Sequence, residues 1–81
     1  HDGNSEVMEI EISPSSGVAN KLVGDIDFPS GVTIGAIMRD EKIIIPGPED
    51  EIQPEDHVII LASRKTARAV EKMLSVHVDL F

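Results

Sequence analysis

The sequence VTIGAIMRDEKIII, residues 32–45, predicts two consecutive strands joined by a tight turn. Residues 32–39 are apolar at most positions and have the small residues Gly35 and Ala36 at their centre, a pattern typical of a strand buried on both faces. Asp40 and Glu41 connect this strand to a second one at residues 42–45, which ends where Pro-Gly-Pro follows at 46–48. We expect these two strands to form the centre of the fold.

Two further strands are predicted on either side of this pair. Residues 7–12 alternate between apolar side chains and the glutamates Glu9 and Glu11, which predicts a strand with one face in solvent. Residues 57–62, HVIILA, predict another buried strand. Ile52 is the single apolar residue of the acidic loop at 49–55, and we expect its side chain to insert into the core.

Two helices complete the predicted order of elements. A short amphipathic helix is predicted from the i, i+3, i+4, i+7 spacing of Ala19, Leu22, Val23 and Ile26. A second helix is predicted after the capping residue Ser63. Its apolar face is formed by Ala67, Val70 and Leu74, and its basic face by Arg64, Lys65, Arg68 and Lys72. We interpret that basic face as solvated. The resulting order, β-α-β-β-β-α, predicts a small two-layer α+β sandwich.

The length of 81 residues allows one domain with one core. Residues 1–6 are polar and are expected to be disordered or derived from the expression vector. Residues 7–75 form the predicted domain, and the alternating tail at 76–81 is expected to be an extra strand or a dimer arm exchanged between protomers. Because so short a chain buries a small core, we expect it to be stabilised by self-association.

Composition excludes several classes of function. The chain has no cysteine, so disulfides and thiolate metal sites are excluded, and a reducing cytoplasmic environment is consistent with this. A formal charge of −8 argues against binding to nucleic acid. No apolar run approaches the roughly 20 residues that cross a bilayer, so direct membrane insertion is not expected.

We find no pattern that predicts an enzyme, and we assign no catalytic or metal-binding residue. The serines lie at turns or helix ends and none is in a G-x-S-x-G motif. The acidic loop lacks the spacing of a calcium loop, and His1, His57 and His77 are too dispersed to predict a metal site. A G-x-G-x-x-G phosphate loop is also absent, so this chain does not itself bind a dinucleotide in the Rossmann manner.

Three stretches of the sequence carry a resemblance to a known family. They are DIDFPSGVTIGAIMR at 25–39, EDHVII at 55–60 and TARAVEKML at 66–74. Together they resemble the C-terminal domain of regulator-of-potassium-conductance proteins, in particular that of the TrkA subunits of Trk potassium-uptake systems. The resemblance covers about residues 7–75. Glu55 stands where the family has glycine, which argues against a left-handed turn at that position.

The resemblance implies a regulatory role on the cytoplasmic side of the membrane. In this family the domain follows a Rossmann domain that binds NAD(H) or adenine nucleotides, so such a cofactor is expected only in that N-terminal domain and none in this fragment. The C-terminal domains form homodimers and bind a small regulatory ligand between them. The resulting movement controls a membrane potassium channel or transporter subunit, so this chain is expected to be cytoplasmic and peripheral to the membrane.

The resemblance also indicates where a regulatory ligand or a partner would bind. The candidates are the loop residues Phe28, Pro29, Gly31 and Val32 and the strand end at Arg39 and Asp40. Some relatives bind cyclic di-adenosine monophosphate through an Asp-x-Arg-Ala segment with a downstream Asn, whereas residues 27–30 here, DFPS, contain no arginine. Two alternatives to potassium regulation stay open: the same domain attached to another cation or anion transporter, and a purely structural dimerisation module.

Overall fold

The computed structural model describes residues 5–75, which form one four-stranded sheet with a helix on one face. The strands are β1 (Ser5–Glu11), β2 (Val32–Arg39), β3 (Lys42–Ile44) and β4 (His57–Ser63), and the helix is α1 (Arg64–Ser75). The strand order is β1-β4-β2-β3, and every pairing is antiparallel. The predicted α+β class with two layers is confirmed.

The predicted strands are present with small changes at their ends. Strand β2 has the predicted bounds, and β4 continues one residue further than predicted, to Ser63. Strand β3 ends at Ile44, one residue earlier than predicted. Strand β1 begins at Ser5, two residues earlier than predicted, because Ser5 and Glu6 continue its pairing opposite Ser63 and Ala62. Asp40 and Glu41 both have positive φ, as a two-residue hairpin turn requires, so the tight connection is confirmed.

The helix predicted around residues 19–26 is wrong. The chain there makes turns at 17–20 and then a single 3₁₀ turn, Val23–Asp25. The backbone N–H groups of Asn20, Val23 and Gly24 donate to carbonyls of the 48–52 loop instead of forming helical hydrogen bonds. A Cβ on Gly24 would lie 2.9 Å from the Pro48 side chain, so glycine is needed for this close approach.

The core lies between the sheet and the second layer. The inner face of β4 contributes Val58, Ile60 and Ala62, and α1 covers β1 and β4 with Ala67, Val70 and Leu74, all buried. The loops add Val18 and Ile52, and the prediction that Ile52 inserts into the core is confirmed because its side chain is fully buried. No helix in the described part of the chain is both long and apolar enough to cross a membrane.

Helix α1 is fixed at both ends by serine side chains. The hydroxyl of Ser63 accepts a hydrogen bond from the backbone N–H of Thr66 at 3.3 Å, which confirms the predicted N-terminal cap. Near the other end, the buried hydroxyl of Ser16 donates to the carbonyl oxygen of Leu74 at 2.6 Å. The helix therefore has a fixed position over β1 and β4.

Candidate functional site

The six predicted site residues lie in two separate places. Phe28, Pro29, Gly31 and Val32 lie together just before and at the start of β2, and Arg39 and Asp40 lie at its other end. Seven residue steps of about 3.3 Å put the two ends of the strand roughly 23 Å apart. The structure therefore does not bring the two groups into a single pocket.

The loop before β2 is held close to the start of the helix. Gly31 has a φ of +86°, and its carbonyl oxygen accepts a hydrogen bond from the backbone N–H of Ser63 at 3.3 Å. Phe28 and Val32 are half-buried and pack against the core, while Ser30 and Thr33 are exposed. This loop presents apolar and hydroxyl groups, and residues 28–33 contain no cationic side chain.

At the other end of β2, Arg39 is engaged by a buried carboxylate. Its Nε and one terminal nitrogen donate to the two oxygens of Asp56 at 2.7 and 2.8 Å, and the same terminal nitrogen donates to the Glu51 carbonyl oxygen at 2.9 Å. Asp56 is 1% exposed and also accepts a hydrogen bond from the backbone N–H of Gln53. This two-point ion pair ties β2 to the loop that precedes β4.

The protonation of this pair follows from its contacts. Burial alone would raise the pKa of Asp56, but the hydrogen bonds from Arg39 and from the Gln53 backbone, with the charge of Arg39, hold that pKa below its usual value. The pKa of Arg39 is raised, mainly by its hydrogen bond to Asp56. The pair is ionised at neutral pH, and its geometry gives it a structural role. The sequence carries no local signal for this contact, because the two residues are 17 positions apart.

The face of the sheet opposite α1 carries an apolar surface that is uncovered in the described part of the chain. We call this face the outer sheet face and define it by the side chains that alternate away from the buried ones. Its apolar members are Val7, Ala36, Met38, Ile43, Ile59 and Leu61, and its polar members include Glu9, Glu11, Thr33 and His57. Val7 is 70% exposed, Ile43 71% and Leu61 44%. These residues belong to all four strands, so the apolar surface is continuous across the sheet.

A bulge in β2 shapes the middle of this face. The pairing of β2 with β4 passes from Ile34 opposite Ile60 to Ala36 opposite Ile59, which leaves Gly35 as the extra residue. A Cβ on Gly35 would lie 3.0 Å from Cδ1 of Leu61, so the leucine side chain lies directly against the glycine. The absence of a side chain at Gly35 therefore allows Leu61 to lie close to the sheet.

Charge on the outer sheet face is confined to its edge at β1. Glu9 and Glu11 alternate with Val7 on this face, and His57 lies opposite Glu11 in the neighbouring strand. The Nδ1 atom of His57 lies 2.7 Å from Oε2 of Glu9. The partner of His57 is therefore Glu9 and not its sequence neighbour Asp56, whose carboxylate lies on the inner face with Arg39.

The helix side of the sheet carries a shallow groove between β1 and α1. It is lined by Met8 and Ala67 and by the charged residues Glu6, Arg64, Arg68 and Glu71. The predicted basic face of α1 is exposed: Arg64, Lys65, Arg68 and Lys72 are all in solvent. Among residues 5–75 no three His, Cys, Asp or Glu side chains are placed to hold a metal ion.

Comparison with protein families gives a match over almost the whole described region. Residues 7–75 match the TrkA-C domain. Among curated proteins, the Trk system potassium uptake protein TrkA of Halomonas elongata is 37% identical over 68 residues, which are 83% of this chain and 15% of the relative. TrkA homolog 2 of Methanosarcina mazei is 35% identical over 69 residues, 85% of this chain and 15% of the relative. The chain therefore spans about 15% of these relatives.

Solved structures of similar fold include two RCK domains. The RCK_C domain dimer of S. agalactiae BusR in complex with c-di-AMP has a TM-score of 0.73 and 27% identity, over 84% of this chain and 93% of that one. A structure of an RCK domain with cda has a TM-score of 0.72 at 16% identity, over 85% of this chain and 97% of that one, which shows a shared fold.

Proposed function

This chain belongs to the TrkA-C domain family, and from that premise we propose that it is the regulatory domain of a Trk potassium-uptake protein that pairs with a second copy through the outer sheet face. The observation that carries the proposal is the continuous apolar surface of that face, left exposed although α1 covers the other. A monomer of this size rarely leaves such a surface in water without a partner for it.

The comparisons support pairing as the mode of action. The BusR neighbour, which shares 27% identity and nearly its full length with this chain, is an RCK_C domain dimer. Four side chains of the outer sheet face are branched aliphatics: Val7, Ile43, Ile59 and Leu61. Their removal from water when two copies pack together favours association. In this proposal the two sheets pack face to face and the two α1 helices lie on the outside of the dimer.

A matched pair of leucine variants tests the pairing. Leu61→Asp places a charge in the outer sheet face, and Leu22→Asp places the same charge at a leucine of nearly equal exposure, 40% against 44%, that lies outside the sheet. Analytical ultracentrifugation of the 81-residue chain should give a dimer for the wild type and for Leu22→Asp, and a monomer for Leu61→Asp. A monomeric wild type at high micromolar concentration, or equal effects of both variants, would overturn the proposed pairing.

The regulatory ligand is proposed to bind at the loop that precedes β2, close to the paired faces. Phe28 and Pro29 offer apolar surface, and Gly31 and Val32 fix the backbone beside Thr33, whose side chain points to the outer sheet face. The neighbour from BusR binds c-di-AMP. Because residues 28–33 contain no cation to meet its phosphates, we propose a ligand with little negative charge for this chain.

Thermal unfolding with added compounds tests this ligand proposal. A compound at about 100 times its dissociation constant adds about 2.7 kcal/mol to the free energy of unfolding. We expect a neutral nucleoside to raise the melting temperature and c-di-AMP to leave it unchanged, and Pro29→Ala to reduce any shift. A shift with c-di-AMP that survives high salt would contradict the proposed ligand class. No shift with any compound would favour the alternative of a purely structural dimerisation module.

Control of potassium transport is the part of the proposal that concerns the whole protein. We propose that paired domains change their arrangement when the ligand binds, and that a membrane potassium channel or transporter subunit responds on its cytoplasmic side. NAD(H) or an adenine nucleotide is proposed to bind only to an N-terminal Rossmann domain. Exchange of this domain into the TrkA protein of Halomonas elongata, followed by potassium uptake measurements with and without Leu61→Asp, tests this role. Uptake that is unaffected by Leu61→Asp would contradict it.

A further inference from the structure

We infer that residues 76–81, which we call the tail, turn back along β1 and add a fifth strand to the sheet within the same chain. The tail lies outside the described residues, and its alternating sequence predicts either an extra strand or an arm exchanged between protomers. The surroundings of β1 favour the extra strand. The site is an edge of the sheet and not a face, so it requires neither the proposed dimer nor the proposed ligand.

One side of β1 is a free edge in the described part of the chain. Within residues 5–75 this strand pairs only with β4, because it stands first in the order β1-β4-β2-β3. The backbone N–H of Ile12 donates to the carbonyl oxygen of Asp56 on the β4 side, and the direction of the backbone groups alternates along an antiparallel strand. The N–H and C=O groups of Val7 and Glu9 therefore point away from β4, toward the free edge.

The tail begins beside the far end of this edge. The carbonyl oxygen of Leu74 accepts a hydrogen bond from Ser16, which follows the end of β1 in the chain, so α1 ends near the end of β1. At the other end, Nε of Arg64 lies 3.9 Å from Oε2 of Glu6, so α1 and β1 also start close together. The two elements run in the same direction, and a chain that turns back after α1 runs antiparallel to β1.

The length of the tail fits this path. Each extended residue spans about 3.3 Å, so three steps beyond Ser75 cover about 10 Å, which is the usual separation of two packed layers. Residues 76 and 77 therefore cross from the helix layer to the sheet. Residues 78–81 then lie along residues 6–9 of β1, at the free edge.

Charge decides which side chains of the tail face the helix. Met8 and the exposed Arg68 line the shallow groove between β1 and α1, whereas Glu9 lies on the outer sheet face. Asp79 is the acidic residue of the tail. Attraction to Arg68 and repulsion from Glu9 place Asp79 on the groove side, in the register that sets it opposite Met8.

The same register covers an exposed side chain on the other face. Because side chains alternate along a strand, Val78 and Leu80 lie on the outer sheet face when Asp79 faces the groove. Leu80 is then directly opposite Val7, which is 70% exposed in the described part of the chain. An aliphatic pair across two strands stabilises their pairing, and the added strand closes an edge that other chains could otherwise join.

Because the chain contains no cysteine, engineered disulfides test this position directly. Residues opposite each other in an antiparallel pair have Cα atoms about 5.5 Å apart, a distance that a disulfide spans. On oxidation, Val7→Cys/Leu80→Cys should form a bridge within one chain, with a yield that does not depend on protein concentration. Mass spectrometry of the unreduced protein measures the bridge.

A control at the opposite edge of the sheet matches the exposure of the first site. Ile43 in β3 is 71% exposed against 70% for Val7, and β2 and β4 separate the two strands. Ile43→Cys/Leu80→Cys should therefore form no bridge within the chain. Equal bridging in the two variants, or bridging in neither, would overturn the inference. A bridge that joins two chains would indicate an exchanged arm and would also overturn it.

Hydrogen exchange in the full chain tests the charge contact. The amides of Val7 and Glu9 point to the free edge, so pairing with the tail should slow their exchange. Asp79→Arg places a like charge beside Arg68 and should speed exchange of both amides at least about tenfold. Arg68→Asp/Asp79→Arg should restore slow exchange, whereas Lys72→Asp/Asp79→Arg should not, because Lys72 does not line the groove. Fast exchange in the unaltered chain, or equal restoration by both double variants, would overturn the inference.

Discussion

The carboxylate of Asp56 is buried, yet it retains its charge because three hydrogen bonds reach its two oxygens. Two of these bonds come from Arg39 and one comes from the backbone of Gln53. At the scale of single residues, this carboxylate joins the end of β2, the loop that contains Glu51, and the start of β4. Loss of its charge should therefore weaken the fold as a whole.

The lowered pKa of Asp56 predicts how stability depends on acid. Because this pKa is lower in the folded chain than the ordinary value of about 3.9, the ionised side chain stabilises the fold at neutral pH. That stabilisation declines as the pH falls to about 4, and it is lost once the pH passes below the lowered pKa. Asp56→Asn should cost roughly 2–3 kcal/mol at pH 7 and should depend less on pH than the wild type.

Urea unfolding at a series of pH values from about 7 down to about 3 measures this difference, across the carboxyl titration range. Asp27→Asn, at an exposed aspartate, is the matched control and should follow the wild-type curve. Parallel curves for the wild type and Asp56→Asn would show that the stabilisation does not come from this carboxylate.

The roles of some of these residues could be predicted from the sequence, but the contact between Arg39 and Asp56 could not. Ile52 could be placed in the core because it is the single apolar residue in an acidic loop, and its side chain gains free energy only by inserting into the core. Arg39 was predicted as a site residue because it ends a strand of the resembling stretch. Its pairing with Asp56 could not be predicted, since the antiparallel register that brings β2 and β4 together is set by the whole sheet.

At the scale of elements, the turn that precedes β4 departs from the expectation based on sequence. Glu55 occupies the place where the family has glycine, and a left-handed conformation was not expected there. The structure shows a φ of +75° for Glu55, and its backbone N–H donates to the carbonyl oxygen of Ile12 at 2.6 Å. The turn keeps its conformation because this bond and the Asp56 contacts outweigh the steric cost of a side chain.

This strained turn predicts a stabilising substitution. Glu55→Gly should raise the free energy of unfolding by about 1 kcal/mol, because glycine adopts a positive φ without the clash of a Cβ. Glu55→Ala is the matched control: it removes the same charge and keeps the Cβ, so it should leave stability nearly unchanged. Urea unfolding of the three proteins at neutral pH is the measurement. Equal stabilisation by alanine and glycine would assign the effect to the lost charge and would contradict the proposed strain.

For the helix predicted around residues 19–26, hydrophobic periodicity predicted burial correctly but secondary structure incorrectly. Ala19, Val23 and Ile26 do pack against the core, as a helical face would, so the spacing was informative about burial. The spacing cannot distinguish a helix from a folded loop that buries the same side chains. The backbone of Leu22 pairs with that of Glu51, 29 positions away, and this pairing favours the loop over a helix. No local sequence pattern predicts a contact between positions so far apart.

At the scale of the molecule, the strands were the more predictable part. The bounds of β2 were predicted correctly at both ends. Pro-Ser-Gly precedes the strand and Asp-Glu follows it, and these residues favour turns over a continued strand. The apolar pattern on both faces of β2 and β4 predicted that both faces are covered. In one copy of the described chain, α1 and the loops cover only the inner face of the sheet. Because β2 and β4 are apolar on both faces, their sequence pattern also favours a partner that covers the outer sheet face.

The charge of the whole chain predicts how salt affects this proposed dimer. Each copy carries a formal charge of −8, and the charged rim of the outer sheet face contains Glu9 and Glu11 without a lysine or arginine among the described residues of that face. The contact itself is apolar, and added salt does not weaken burial of apolar surface. Repulsion between the two copies is screened as the Debye length falls from about 10 Å at 0.1 M salt toward about 3 Å at 1 M.

We therefore expect the dimer of the 81-residue chain to become several-fold stronger as sodium chloride increases from about 0.05 M to about 0.5 M, a range that shortens the screening length. Sedimentation equilibrium at neutral pH measures the dissociation constant at each salt concentration. Glu9→Gln/Glu11→Gln should strengthen the dimer at low salt and reduce its dependence on salt, whereas Glu49→Gln, in the loop between β3 and β4 and outside the strands, should do neither. A dimer that weakens with salt would mean that opposite charges hold the two copies together. The surface that joins them would then have to include the basic face of α1, because four of the seven lysine and arginine side chains lie there.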